Sequence, residues 1–275
     1  MSRILLAGES WVTTSTHTKG FDSFTTSTYA EGADAFVAVL RDAGHDVTYL
    51  PNHLAADQFP GTAAELATYD LVVLSDIGAN TLLLPSRTFI GGQPHPNRLA
   101  ELASWVRAGG ALLMVGGYLS FQGIEGKANY ANTALAAVLP VELETGDDRE
   151  ETPEGVRPNV LDMNHPVMAG LPASWPAVLG YQRVRPKPGA EVIAAVGSHP
   201  LLVLGVAGRG RAAAFTSDMG PHWLPDSFVD WHGYARLWQQ CVAFLCEGAG
   251  SDAPADTRPE SSQAGRESRK AVAEL

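Results

Sequence analysis

The feature that most constrains this chain is an alternation of two hydrophobic patterns. Short runs of consecutive apolar residues are separated by stretches in which apolar residues return at helical spacing. Arg3-Ile4-Leu5-Leu6-Ala7-Gly8 is such a run, and its closing glycine is how a buried parallel strand opens onto a loop. Glu31 to Ala43 follows with Phe36, Val39 and Leu40, stops at Gly44, and leads into Asp46-Val47-Thr48-Tyr49-Leu50. Ala63 to Tyr69 then leads into Leu71-Val72-Val73-Leu74-Ser75-Asp76, and Asn97 to Arg107, closed by Gly109-Gly110, into Ala111 to Val115. Buried strands joined by helices run parallel, with helices on both faces. The predicted class is α/β, a three-layer sandwich around a mainly parallel sheet.

From about Glu142 to Pro188 the alternation fails. Asp147-Asp148-Arg149-Glu150-Glu151 reads as a solvated charge run and prolines are dense, so a loop-rich excursion is expected. Strand signals return at Glu191 to Val196, Pro200 to Val206 and Arg211 to Ser217, with Gly208-Arg209-Gly210 as a hairpin turn. These predict antiparallel additions at one sheet edge. Trp231 to Glu247 puts Tyr234, Leu237, Trp238, Cys241, Val242 and Leu245 on one helical face, and Gly248 stops it. One domain is expected over 1–248. Residues 249–275, nearly free of large apolar side chains, are expected to be a disordered tail.

Composition removes several classes of function. The 19 basic residues against 30 acidic ones leave a formal charge of −11 and no basic stripe, which argues against nucleic acid. No apolar run approaches the roughly 20 residues of a membrane-spanning helix, and the first residues lack a signal peptide's cleavage pattern. A soluble, cytoplasmic protein is expected. No dinucleotide fingerprint or phosphate-loop lysine is present, and no two histidines share a metal-binding spacing on a helix, so neither cofactor nor metal is expected.

In an open parallel sheet, ligands bind beyond the carboxyl ends of the strands. The loops there are Gly8-Glu9-Ser10-Trp11 with the Thr/Ser-rich stretch to Lys19 and Asp22, Ser75 to Asn80, Gly116 to Gly123, and Ser217 to Trp223. Polar groups converge on one rim, which fits a small-molecule ligand.

Those loops, with Glu125-Gly126-Lys127 and Asn164-His165-Pro166, resemble the signature stretches of the class I glutamine amidotransferase-like superfamily. More narrowly, Gly-Gly-Tyr-Leu-Ser-Phe-Gln-Gly with Pro-His-Trp is similar to a bacterial branch of cytoplasmic proteins related to the trehalose-utilisation (ThuA-like) proteins. The likeness runs from Arg3 to about Leu245. It implies a flavodoxin-like sheet, a rim where working amidotransferases hold a Cys-His-Glu triad, and a tie to carbohydrate metabolism. At the turn corresponding to the nucleophile elbow, Val115-Gly116-Gly117-Tyr118-Leu119, this chain has Tyr118, or a neighbour within one position, where sulfur would stand. A phenol is a far weaker nucleophile than a thiolate near neutral pH. Cys241 and Cys246 fall in the last helix, where their spacing suits packing. Ordinary glutaminase activity is expected to be absent.

The candidate catalytic residues are His222 as base, Asp218 or Glu9 to orient it or share protons, and Tyr118, with the Gly116 and Gly117 amides steadying an oxyanion. For His222 and Trp223 a packing role weighs equally. Asp76 follows a buried run and faces the crevice; its alternative role is to cap a helix through Asn80. Candidate binding residues are Ser10, Lys19 and Lys127 for polar groups and Trp11, Phe121 and Trp223 for a sugar face. Three readings result: a relative that binds or processes a small polar, sugar-like metabolite; a non-catalytic ligand sensor or subunit of a homo-oligomer; and an amidotransferase with an unorthodox nucleophile.

Overall fold

The computed structural model describes residues 1–247; Gly248 and the expected tail, 249–275, lie outside the described residues. Its strands are β1 (Arg3–Gly8), β2 (Ser10–Lys19), β3 (Asp22–Glu31), β4 (Asp46–Leu50), β5 (Leu71–Ser75), β6 (Ala111–Val115) and β7 (Val141–Leu143). They continue as β8 (Arg149–Val156), β9 (Asn159–Val160), β10 (Val178–Gln182), β11 (Val184–Pro186), β12 (Glu191–Val196), β13 (His199–Ala207) and β14 (Gly210–Phe215). An eight-stranded sheet runs in the order β4-β1-β5-β6-β14-β13-β12-β9. From β4 to β14 the neighbours are parallel, and β13, β12 and β9 extend one edge antiparallel. This is the flavodoxin-like arrangement with antiparallel edge additions.

Successive residues of each central strand serve opposite cores, as a pleated backbone dictates. Ile4, Leu6, Leu71 and Val73 enter one cluster with Phe36, Leu40, Leu237, Trp238 and Cys241, from α1 (Asp34–Asp42) and the last helix. Leu5, Ala7, Val72 and Leu74 enter the other, with Ala55 of α2 (Asn52–Gln58), Leu66 of α3 (Ala63–Leu66), Leu82 of α4 (Ala79–Leu83) and Leu99 and Leu102 of the helix Arg98–Arg107. With α5 (Ser86–Phe89) between them, that helix is α6, capped by Asn97 Oδ1 on the Ala100 N–H; α7 (Asp226–Val229) and α8 (Tyr234–Cys246) complete the set. The expected helices and central strands are present with ends shifted by a few residues.

Two expectations are corrected. The Thr/Ser-rich stretch expected as a loop forms a hairpin, β2 paired with β3 in unbroken register from Ser10↔Glu31 to Lys19↔Asp22. β-Branched threonines favour strand, but with both faces in water there is no apolar alternation to announce it. The Glu142 to Pro188 excursion carries its own antiparallel pairs, β8 with β10 and β7 with β11. Within it Asp148, expected in a solvated run, is buried and accepts from the Gln122 and Gly123 N–H groups at 3.0 and 2.8 Å. Its neighbours Asp147, Arg149 and Glu150 are partly exposed, so the charge pattern conceals one inward residue.

Candidate functional site

At the carboxyl end of β1 the backbone turns under itself. Gly8 has φ +112°, and a Cβ there would stand 1.8 Å from the Ser75 carbonyl, so only glycine fits. Glu9 follows at φ +50° and is completely buried. Its N–H donates to Ser75 O at 2.8 Å, and its carbonyl accepts from Gly32 N–H and the Tyr49 hydroxyl. The side chain is thereby aimed beneath the rim, where Ser75 Oγ donates to Oε2 at 2.5 Å and Oε1 has no partner among the described residues. Burial first, and then the charge of Asp76, pushes the Glu9 carboxyl up to about 8.

Asp76 closes β5 at φ +44°. Its Oδ1 accepts from Leu119 N–H at 2.6 Å, and its own N–H donates to Ser120 Oγ at 3.0 Å. Gly117, φ +132°, lies so close that a Cβ would meet the Asp76 Cβ at 2.9 Å. Burial raises the Asp76 carboxyl, against the Leu119 N–H and the charge of His222. Asp218, 2% exposed, accepts from Met219 N–H at 2.7 Å. Burial again, then Glu9 and Asp76, lifts it well above the usual range. Three carboxyls in a poorly solvated space cannot all ionise near neutrality. Glu9, pushed up to about 8, therefore keeps its proton near neutrality, and Asp76 is the member closest to water.

Aromatic rings wall the outer side. Trp11 lies against His222 with centroids 4.7 Å apart, and Tyr118 stands 6.4 Å from His222 and 5.7 Å from Trp223. Trp223 is buried and donates its Nε1–H to Glu151 at 3.0 Å. The Arg149 guanidinium lies 4.7 Å over the Tyr118 ring. Burial, then Glu151, raises the Tyr118 phenol, so it remains protonated.

The structure brings Glu9, Asp76, Asp218, Trp11, Tyr118, His222 and Trp223 together, and it corrects the rest. His222 is exposed and makes no hydrogen bond to Asp218; the acid that senses its charge is Asp76, because Asp218 lies too deep. The Gly116 N–H is consumed by the Phe215 and Ser217 carbonyls, which removes it as an oxyanion donor. Phe121 is fully buried in the second core and offers no face to a sugar. Ser10 Oγ accepts the Asn52 N–H at 2.8 Å, an anchor at the start of α2. Asn80 lies exposed on α4, whose cap position is Gly78, so it makes no capping link to Asp76. Lys127 pairs with Glu125 at 2.6 Å on the surface, and Lys19 is carried to the far end of β2 over Phe24. No α-helix follows β6: its loop passes into 3-10 turns, so the elbow has no helix N-terminus behind it.

Both cysteines belong to α8. Cys241 is buried, and burial drives its thiol up to about 12; Cys246, partly buried, lies near Ser2 and in the field of Asp70 at the amino end of the sheet, opposite the rim. Residues missed in the sequence are Ser75, Ser120, Arg149, Glu151 and Gln182, whose Nε2 donates to Gly117 O at 2.5 Å. Only Ser75, directly before Asp76, carried a signal. Elsewhere, a cavity of about 520 Å³ is lined by Phe59, Tyr69, Arg87, His95 and Arg98. Among the described residues no group of His, Cys, Asp or Glu is arranged to hold a metal ion, and no helix is long and apolar enough to cross a membrane.

Residues 3–247 match the GATase1_like family, described as "Putative glutamine amidotransferase". Two Salmonella typhimurium structures, cytoplasmic proteins STM3548 and STM1381 (the latter from strain LT2), are each 45% identical with TM-score 0.85. Each match covers 88% of this chain, and 98% and 99% of theirs respectively. A ThuA-like protein of Parabacteroides merdae, 14% identical over 93% of this chain and 94% of its own, shares the fold with TM-score 0.53. No curated protein matches.

Proposed function

The chain belongs to the GATase1_like family of putative glutamine amidotransferases, and from that premise we propose that it has set thiol chemistry aside. Its rim binds a small, polar, sugar-like metabolite and handles protons on it. The observation that carries this reading is the buried carboxyl group of three, Glu9, Asp76 and Asp218, beneath a wall of Trp11, Tyr118, His222 and Trp223. A protonated carboxyl donates hydrogen bonds as well as accepting them, which suits a ligand rich in hydroxyls. Asp76, with the imidazole of His222 in its field, exchanges the proton with the ligand, and Glu9 and Asp218 hold the reserve. Aromatic faces supply the flat apolar surface on which a sugar ring rests. The Gly117 and Tyr118 N–H groups, which have no partner among the described residues, can receive a ligand oxygen. The location that suits such a protein, as in the Salmonella relatives, is the cytoplasm.

The test is a thermal-shift panel of sugars, sugar acids, amino acids and amides on wild type and Asp76→Asn, because a ligand that binds only the native state raises the melting temperature. A sugar-class compound should stabilise wild type and stabilise the variant far less. Glutamine should yield no ammonia. Ammonia release lost in Tyr118→Phe would establish the unorthodox amidotransferase instead. Binding without turnover of any ligand in the panel would make the protein a sensor.

A further inference from the structure

The three carboxyls of the rim lack a counter-charge. Among the described residues, none of Glu9, Asp76 and Asp218 forms an ion pair with a Lys, Arg or His side chain. Glu9 is wholly buried with Oε1 unpartnered. Asp76 uses Oδ1 on the Leu119 N–H and leaves Oδ2 without a partner among the described residues. Buried acids are ordinarily met by a cation or by donors, so these orphaned oxygens match a positive charge supplied from outside the chain. The nearby Arg149 guanidinium does not supply it, being held by Asp147 and Glu151. The walls suit a cation as well. Trp11, half-buried, and Tyr118, exposed, flank His222, and the face of an indole or a phenol attracts positive charge. Tyr118 already carries one cation, since Arg149 lies over its ring. The net charge of −11 draws cations toward the molecule and repels anions.

The backbone beside Asp76 fixes what accompanies that charge. Gly117 approaches so closely that a Cβ on it would stand 2.9 Å from the Asp76 Cβ, so the Gly117 and Tyr118 N–H groups are neighbours of the carboxyl. Neither N–H has a partner among the described residues. An acceptor and two donors this close match an amino group and a hydroxyl on adjacent carbons. We infer that the rim recognises an amino sugar: its ammonium lies on Asp76 Oδ2 beside Trp11 and Tyr118, and its neighbouring hydroxyl accepts from the Gly117 and Tyr118 N–H groups. The inference rests on the sugar-binding reading above and narrows it to one functional group. On binding, the ammonium keeps its proton, and the carboxyl group of three gives up one of its own to the solvent, because an added positive charge favours the ionised acid.

The experiment is calorimetric titration of the full chain with glucosamine, glucose, N-acetylglucosamine and ethanolamine. It is run at about pH 6.5, where the amines are charged and Glu9 holds its proton, in buffers of differing ionisation enthalpy that reveal proton release. Glucosamine should bind at least about tenfold more tightly than glucose or N-acetylglucosamine, which keep the ring and lose the charge. It should release close to one proton per molecule bound, and the neutral sugars none. Asp76→Asn, shown by circular dichroism to fold, should lose the preference. Equal affinity for the three sugars overturns the inference and leaves the sugar-binding reading in place. Glucosamine binding that releases no proton, or that Asp76→Asn leaves intact, overturns the position given to the ammonium. Ethanolamine as tight as glucosamine upholds the cation site and overturns the sugar reading. Failure of both amines to bind overturns the inference whatever the neutral sugars do.

Discussion

Glu9 sits where an ordinary sequence reading would place a solvated loop acid, yet water does not reach it. Its folded pKa is raised from 4.5 to about 8, so between these values the folded chain holds a proton that the unfolded chain has released. Stability from this group is therefore complete below about pH 4.5 and lost as pH rises toward 8. Glu9→Gln keeps an oxygen for Ser75 and removes the titration. Urea midpoints at several pH values should show wild type weakening more steeply across this window, by on the order of 1 kcal/mol per pH unit, than the variant. Equal slopes would mean that Glu9 ionises freely. The position of Glu9 and Asp76 at strand ends was legible in the sequence, because a buried apolar run fixes where its last residue emerges. Their protonation was not, since it depends on loops distant in sequence closing over them.

Elements were readable in proportion to how much apolar pattern they carried. The central strands and α1, α6 and α8 bury one or both faces and announced themselves. The β2–β3 hairpin buries neither; β7, β9 and β11 have only two or three residues each, and β8, though eight long, is polar and pairs with β10 more than twenty residues on. Asp148 shows the cost to interpretation most plainly: a single inward carboxyl within a charged run ties down the loop after β6. Asp148→Ala would leave two buried N–H groups without an acceptor, and urea unfolding should report a loss of about 2–5 kcal/mol. A loss within the range of an ordinary surface substitution would show that the loop finds other partners. The site depends on this clamp indirectly, because the loop it holds also presents Tyr118 and the Leu119 N–H that grips Asp76.

For the whole molecule, the separation of its parts matters more than any one contact. The core and the β2–β3 hairpin meet at the rim, where Ser10 and Trp11 open β2, and beyond Trp11 the hairpin leaves the body of the molecule. Replacing residues 12–29 of the β2–β3 hairpin by Gly-Gly should shift the melting transition little, because every one of those residues is exposed. A large drop in melting temperature by circular dichroism would show that the hairpin braces the core. The fold was legible at this scale because alternation of strand and helix admits few topologies. The hairpin was not, because a strand pair exposed on both faces carries no apolar alternation.

The seclusion of both thiols has a consequence for cells under oxidative stress. Enzymes that depend on an activated thiolate are silenced by peroxide or by alkylating metabolites. Here the sulfur of Cys241 is sealed in the core and that of Cys246 lies at the opposite end of the sheet from the rim. Iodoacetamide or dilute hydrogen peroxide applied to the native protein should leave ligand affinity unchanged, a tolerance that a thiol-dependent relative would not share.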